Sequence, residues 1–187
     1  MNKHEHTVAD FDMGGLLGIP KTQSLFGKEH TPAVILTEPK YAHNVGTAIR
    51  MASCFGAKVV IFTGDRIDFD NDGKTRLPRE ERMRGYKDVL VLHDDYPFNR
   101  FTKDVTPVAM EMKLNSEPLT TFEHPEYPVY VFGPEDGSIS RSNMGMCHRF
   151  VVVPSKHCLN LASAVGIVLY DRMAKVGITK HDEIGIL

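Results

Sequence analysis

The 187-residue sequence has no tryptophan, only three cysteines and no long hydrophobic run. Three is an odd count, and in a chain of this length it supplies no disulfide framework; it points to a reducing compartment, read here as the cytoplasm. The opening MNKHEHTVADFDMGG lacks the continuous apolar core of a secretion signal. The most apolar segment, CLNLASAVGIVLY at 158–170, is too short to span a bilayer and carries Asn160 and Ser163, so it reads as a buried helix rather than a membrane span. Charge of one sign is also missing. A formal net charge of -2 and a pI near 6.5 exclude blanket electrostatic attraction to nucleic acid and leave room only for a local basic face. Neither G-x-G-x-x-G nor G-x-x-x-x-G-K-[ST] occurs, which disfavours a nicotinamide enzyme and a P-loop nucleotidase.

What is present fits one domain: 187 residues is an ordinary single-domain length, 42% hydrophobic is enough to bury a real core, and a second full domain is not expected. Residues 1–31 mix histidines, acids, Gly14, Gly15, Gly18 and Pro20 without periodicity and read as a loosely ordered arm; the domain proper is expected over 32–187. Short apolar runs then alternate with helical patterns: AVILT (33–37), KVVIF (58–62), VLVLH (89–93), TPVAMEM (106–112), VYVF (129–132) and FVVVP (150–154). That rhythm predicts an α/β fold with a mainly parallel sheet flanked by helices.

The stretch EPKYAHNVGTAIRMAS (38–53) predicts a helix over roughly 45–55, with Asn44 as N-cap and Gly56 in the left-handed position after its end. Val45, Ala48, Ile49, Ala52 and Phe55 share one face of it. Arg50 lies nearly opposite, with Gly46 one turn before it; taken alone, a lone arginine there is a solvated surface charge. Residues 70–88, DNDGKTRLPREERMRGYKD, carry Arg76, Arg79, Arg82 and Arg84 among five acids. Such a mixed run is ordinarily a solvated helix and loop, and its alternative reading is a phosphate-facing patch for RNA.

Three stretches could carry chemistry: Asn44-Val-Gly46 with Arg50; Val-Phe-Gly133-Pro-Glu135-Asp-Gly137 at the end of one strand; and Val153-Pro-Ser-Lys-His-Cys158-Leu159-Asn160 at the end of the last. In open α/β sheets ligands bind just beyond the carboxyl ends of strands, where glycine lets backbone come close. The segment SISRSNMGM that follows Gly137 reads as a short helix capped by Ser138 or Ser140. Asn160 enters a helix apolar on nearly all sides and reads as a buried amide with its hydrogen bonds satisfied. Cys147, His148, His157 and Cys158 offer a zinc reading, but their spacing matches no common site, so no metal is expected.

Taken together and in this order, the three stretches resemble the motifs of the SpoU (TrmH-like) branch of the SPOUT RNA 2'-O-ribose methyltransferases, over about 33–176. N-x-G-x-x-x-R resembles the first motif, F-G-P-E-D-G the second and V-P-S-K-H-C-L-N-L-A the third. The third departs from the usual form, having Cys158 where a serine is common and no glycine in the turn. The resemblance implies a trefoil knot in the C-terminal half, an S-adenosylmethionine pocket, a homodimer with the C-terminal helix at its interface, and methylation of a ribose 2'-hydroxyl in tRNA or rRNA, with tRNA favoured. By matching positions it implies cofactor contacts at Met110, Gly133, Val153, Cys158 and Leu159. Arg50, Asn44, Glu135 and Asn160 take catalytic roles, and RNA contacts fall to Arg50, Arg76, Arg79, Arg82 and Arg84. Its alternative is a catalytically silent RNA-binding module of the same fold, against which stand Arg50, Glu135 and Asn160 together.

Overall fold

A computed structural model describes residues 25–67 and 89–177 of the chain. Its strands are β1 (Ala33–Leu36), β2 (Val59–Phe62), β3 (Leu90–His93), β4 (Thr106–Met110), β5 (Glu117–Pro118), β6 (Pro128–Phe132) and β7 (Arg149–Val152). They form one sheet in the order β3-β2-β1-β6-β4-β7-β5, and every adjacent pair is parallel. Every residue of β1, β2 and β6 is buried, as expected of parallel strands covered on both faces. The six predicted apolar runs all became strands. The seventh strand, β5, is a two-residue edge piece beside β7, too short to leave a sequence pattern.

Alternate residues feed two cores. Val34, Leu36, Val60, Tyr130 and Phe132 pack with helices α1 (Ala42–Cys54) and α3 (Leu161–Val176) on one face. On the other face, Ala33, Ile35, Ile61, Val129 and Val131 pack with Ile139 and Cys147, which flank the short helix α2 (Arg141–Gly145). Ser140 caps α2, its hydroxyl accepting the Asn143 amide at 3.2 Å. Helix α1 buries Val45, Ala48, Ile49 and Ala52 as its periodicity predicts, and each fully buried Val or Ile contributes about 1.5–3 kcal/mol. It crosses α3 at Gly166, where an added Cβ would lie 3.1 Å from Met51 Sδ. Gly56 has φ +76° just past the end of α1, the left-handed conformation its position predicted.

Two sequence expectations need correction at helix starts. Asn44 is not the N-cap of α1: the helix begins at Ala42, the Tyr41 carbonyl accepts the amides of Asn44 (3.0 Å) and Val45 (3.3 Å), and the Asn44 side chain turns away into the site described below. Asn160 is not a buried amide. It is an exposed N-cap of α3, its Oδ1 accepting the amides of Ala162 (2.9 Å) and Ser163 (3.3 Å), because a side-chain oxygen there satisfies helix donors that lack an intrahelical partner. Within the single chain α3 leaves Ile167 and Tyr170 exposed, so part of the apolar 158–170 segment is not covered by the described residues.

Residues 25–31 lie against the domain: Phe26 bridges Phe101 in parallel fashion and packs on the second core. Among the described residues, no helix is long and apolar enough to cross a membrane.

Candidate functional site

Because all the strands are parallel, their carboxyl ends share one edge, and β1 sits where the chain order reverses between β2 and β6. Just beyond the ends of β4, β6 and β7 lies a cavity of about 520 Å³. Met110, Gly133, Val153, Cys158 and Leu159, the five positions expected to hold a cofactor, all line it, as does Glu135. At Gly133 a Cβ would stand 3.0 Å from the Ile139 amide nitrogen and 3.3 Å from the Ser138 carbonyl carbon. Those neighbours are backbone, so only glycine lets the 133–139 loop fold back this closely.

Glu111 closes the same loop from the other side. Its Oε2 accepts the Ile139 amide at 3.0 Å and its Oε1 accepts the Met112 amide at 3.2 Å. Sequence reasoning missed Glu111; the available signal was a carboxylate directly after an apolar strand, at the ligand-facing edge of the sheet.

Three residues expected to act together are joined in one hydrogen-bonded relay that draws on all three motifs. Asn160 Nδ2 donates to Asn44 Oδ1 at 2.9 Å, and Asn44 Nδ2 donates to Glu135 Oε1 at 2.5 Å. Glu135 Oε2 accepts the Lys40 amide at 2.7 Å. Burial works to raise the Glu135 pKa. Hydrogen bonds from Asn44 and from the backbone amides of Lys40 and Tyr41 outweigh it and hold the carboxyl below its ordinary value. Glu135 is therefore a fixed anion at neutral pH. Its neighbour Asp136 is gripped by Arg66 through both guanidinium ends (2.9 and 2.7 Å) and by Lys40 Nζ at 3.0 Å. Those partners, Arg66 first, hold it well below the carboxylate range. Sequence reading passed over this cluster because Lys40 and Arg66 are separated in the chain from Asp136.

Arg50 is half-buried on α1, one turn after the buried Gly46, and makes no hydrogen bond or ion pair with the described residues. It does not line the cavity, so the structure unites Asn44, Glu135 and Asn160 but leaves Arg50 apart from them, its guanidinium without a partner among the described residues. Arg76, Arg79, Arg82 and Arg84 lie outside the described residues. Of the cysteines once weighed for zinc, Cys158 lines the cavity while Cys147 is buried and donates to the Asn143 carbonyl, its thiol pushed up to about 11 by burial.

The model of the SpoU rRNA Methylase family matches residues 31–170. Among curated proteins, the chain is 24% identical over 163 residues to the tRNA (cytidine-2'-O-)-methyltransferase TrmJ of Methanocaldococcus jannaschii, covering 76% of this chain and 67% of that one. Among solved structures, it resembles an AdoMet-bound rRNA methyltransferase from Sinorhizobium meliloti, with a TM-score of 0.64 and 22% identity over 82% of this chain and 62% of that one. The SpoU methyltransferase AviRb from Streptomyces viridochromogenes, in complex with AdoMet, gives 0.63 at 19% identity over 84% and 63%. A TrmH/SpoU tRNA modifying enzyme of A. aeolicus gives 0.63 at 18% over 81% and 82%. This chain spans only about three fifths of the first two of these structures. At such identities the structural likeness establishes the fold.

Proposed function

We propose that this chain, which belongs to the SpoU rRNA methylase family by the match of residues 31–170, transfers a methyl group from S-adenosylmethionine to a ribose 2'-hydroxyl of RNA, with tRNA the favoured substrate. The observation that carries the reading is the Asn160–Asn44–Glu135 relay standing at the wall of a glycine-lined cavity. The tRNA preference rests on the curated relative, whose name specifies a tRNA cytidine 2'-O-methyltransferase.

The cavity fits the cofactor on its own evidence. It is large enough for a nucleoside-sized ligand, it combines apolar walls at Met110, Val153 and Leu159 with exposed backbone, and Gly133 keeps a Cβ out of the loop. Met110, Gly133, Val153, Cys158 and Leu159 would hold it. S-adenosylmethionine, when bound, supplies a methyl group activated by its positively charged sulfur.

The chain's own residues position the acceptor. Glu135 is a poor base, because its pKa is depressed and both its oxygens already accept N–H donors; its task is to orient Asn44. Arg50 is always protonated, so it serves by charge: it binds a phosphate beside the target ribose and stabilises negative charge growing on the 2'-oxygen as its proton passes to solvent water. Among the described residues it has no ion pair that would compete for that task.

The same reading takes 32–187 as one methyltransferase domain with the family's trefoil knot, working in the cytoplasm as a homodimer. The exposed apolar surface of α3, with Tyr170 56% and Ile167 38% exposed, supports α3 as the dimer contact. The test incubates the protein with methyl-labelled S-adenosylmethionine and separately with tRNA and rRNA lacking 2'-O-methylation, followed by nucleoside analysis. A labelled 2'-O-methyl nucleoside that disappears with Arg50→Ala is expected. Cofactor binding without label in either pool would overturn the RNA acceptor, and absence of cofactor binding would leave an RNA-binding module.

A further inference from the structure

Tyr41 and His43 stand at the entrance to α1, and their rings stack with centroids 5.4 Å apart at 25°. Both residues are exposed, Tyr41 by 45%. Helix stability does not explain Tyr41. It occupies the N-cap of α1 yet makes no side-chain capping bond, at a position where Ser, Thr, Asp or Asn would stabilise the helix. Core packing does not explain it either, since the apolar face of α1 turns the other way, towards β1 and α3.

The pair is nonetheless held firmly. The backbone amides of Lys40 and Tyr41 bond to Glu135, a cavity-wall residue, and the Tyr41 carbonyl accepts the first amides of α1. The rings therefore sit one hydrogen bond away from the Asn44–Glu135 relay, on rigid backbone. Lys40 Nζ lies 5.5 Å from the Tyr41 ring centre, and with Arg66 it forms a cationic pair on the Asp136 carboxylate. Exposed aromatic faces beside cations are what unpaired RNA bases and their phosphates bind, the base by stacking and the phosphate by charge.

We propose that the Tyr41–His43 pair is a stacking platform for an unpaired nucleobase of the RNA substrate, beside the nucleotide whose ribose faces the cavity. This rests on the methyltransferase reading above and goes beyond it by assigning two residues to holding the substrate. It makes the acceptor a single-stranded or looped segment, because a base within a duplex cannot give its face to a protein ring. Lys40 and Arg66 would meet the adjoining phosphate.

The experiment compares wild type with Tyr41→Ala, Tyr41→Phe and His43→Ala in three measurements. These are calorimetric binding of S-adenosylmethionine, methylation of tRNA lacking 2'-O-methylation, and anisotropy of a short labelled oligoadenylate against the same strand carrying abasic sites. Tyr41→Ala is expected to weaken oligoadenylate binding and raise the KM for tRNA by roughly tenfold, the scale of one lost base–aromatic stack. Cofactor affinity should not change, and binding of the abasic strand should fall little. Tyr41→Phe should stay within about twofold of wild type, since the ring and not the hydroxyl stacks. His43→Ala should fall between them. A Tyr41→Ala protein that methylates and binds like wild type would overturn the platform while leaving the methyltransferase reading intact, and so would a wild type that binds abasic and intact strands equally. A wild type that neither binds the cofactor nor methylates RNA would remove the reading and the platform together.

Discussion

Replacing Asn44 with aspartate should destabilise the protein more than replacing it with alanine, although aspartate has nearly the same shape as asparagine. Asn44 is 3% exposed and its amide does two things: Oδ1 accepts from Asn160, and Nδ2 donates to Glu135 at 2.5 Å. Alanine deletes both bonds. Loss of one neutral bond and one bond to a half-buried carboxylate that water can reach costs about 1–2 kcal/mol, or a fall in Tm of about 5 °C in a chain this size. Aspartate keeps the acceptor for Asn160 but points an anion at the Glu135 anion. At an effective dielectric of 20, two charges at that contact repel by up to about 6 kcal/mol. Rotation of Glu135 towards solvent trims this to about 3–4 kcal/mol, or about 10 °C. The sign with pH follows. The new carboxyl pair has one pKa raised in the folded state, so the fold binds more protons than the unfolded chain, and stability falls as pH climbs from about 4 through the raised value. Thermal melts followed by circular dichroism at pH 8 and pH 5 should give the order wild type, alanine, aspartate at pH 8, with the aspartate penalty shrinking at pH 5. An aspartate variant at least as stable as the alanine variant at pH 8 would refute the assignment of Asn44 Nδ2 as a donor to an ionised Glu135.

Three other perturbations test separate parts of the structure. Gly133→Ala places a Cβ 3.0 Å from the Ile139 amide nitrogen, so the 133–139 loop must open; calorimetry should show at least tenfold weaker S-adenosylmethionine binding and a stability loss of about 1–3 kcal/mol. Arg50→Lys keeps the charge but loses the planar fork, and turnover should fall roughly tenfold or more with cofactor affinity unchanged; near-normal turnover would exclude a bidentate role. His124 has a fully buried side chain bonded to Tyr130 Oη at 2.5 Å and Asp171 Oδ2 at 2.8 Å, and burial lowers its pKa against the pull of Asp171. The unfolded chain therefore takes up a proton first as pH falls below about 6.5, so wild-type stability should decline from there downwards, and urea melts of His124→Gln should lack that slope.

The sheet was legible because its central strands β1, β2 and β6 are buried on both faces and must be continuously apolar, and the strands beside them keep short apolar runs of the same kind. Gly56 and Ser140 were legible for a similar reason: each answers a local backbone demand, a left-handed φ or an orphan amide. Asn44 and Asn160 misled in opposite directions because asparagine has two amide functions and local reasoning sees only the near one. Asn44 looks like a cap and is spent on tertiary bonds; Asn160 looks tertiary and caps α3 with its oxygen while its nitrogen reaches Asn44. The Arg66–Asp136–Lys40 cluster and Glu111 were silent because their partners are distant in the chain or are backbone amides, which every residue carries.

The division of charge across the site follows from these same bonds. Two neutral amides and one carboxylate with depressed pKa build the relay, so nothing in it changes protonation between pH 5 and 9, and the geometry it sets is insensitive to pH over that range. The local carboxylates are already matched: Glu135 by amide donors, Asp136 by Arg66 and Lys40. Arg50 is the exception among the groups drawn from the three motifs, a half-buried cation with no internal partner among the described residues. Leaving a cation unmatched on partly buried surface is unfavourable in the free protein, and an anionic ligand reverses that penalty on binding. A polyanion whose phosphate meets Arg50 while a base rests on Tyr41 would thus be selected by groups that contribute little to the fold itself, which is the pattern expected of residues kept for substrate rather than for stability.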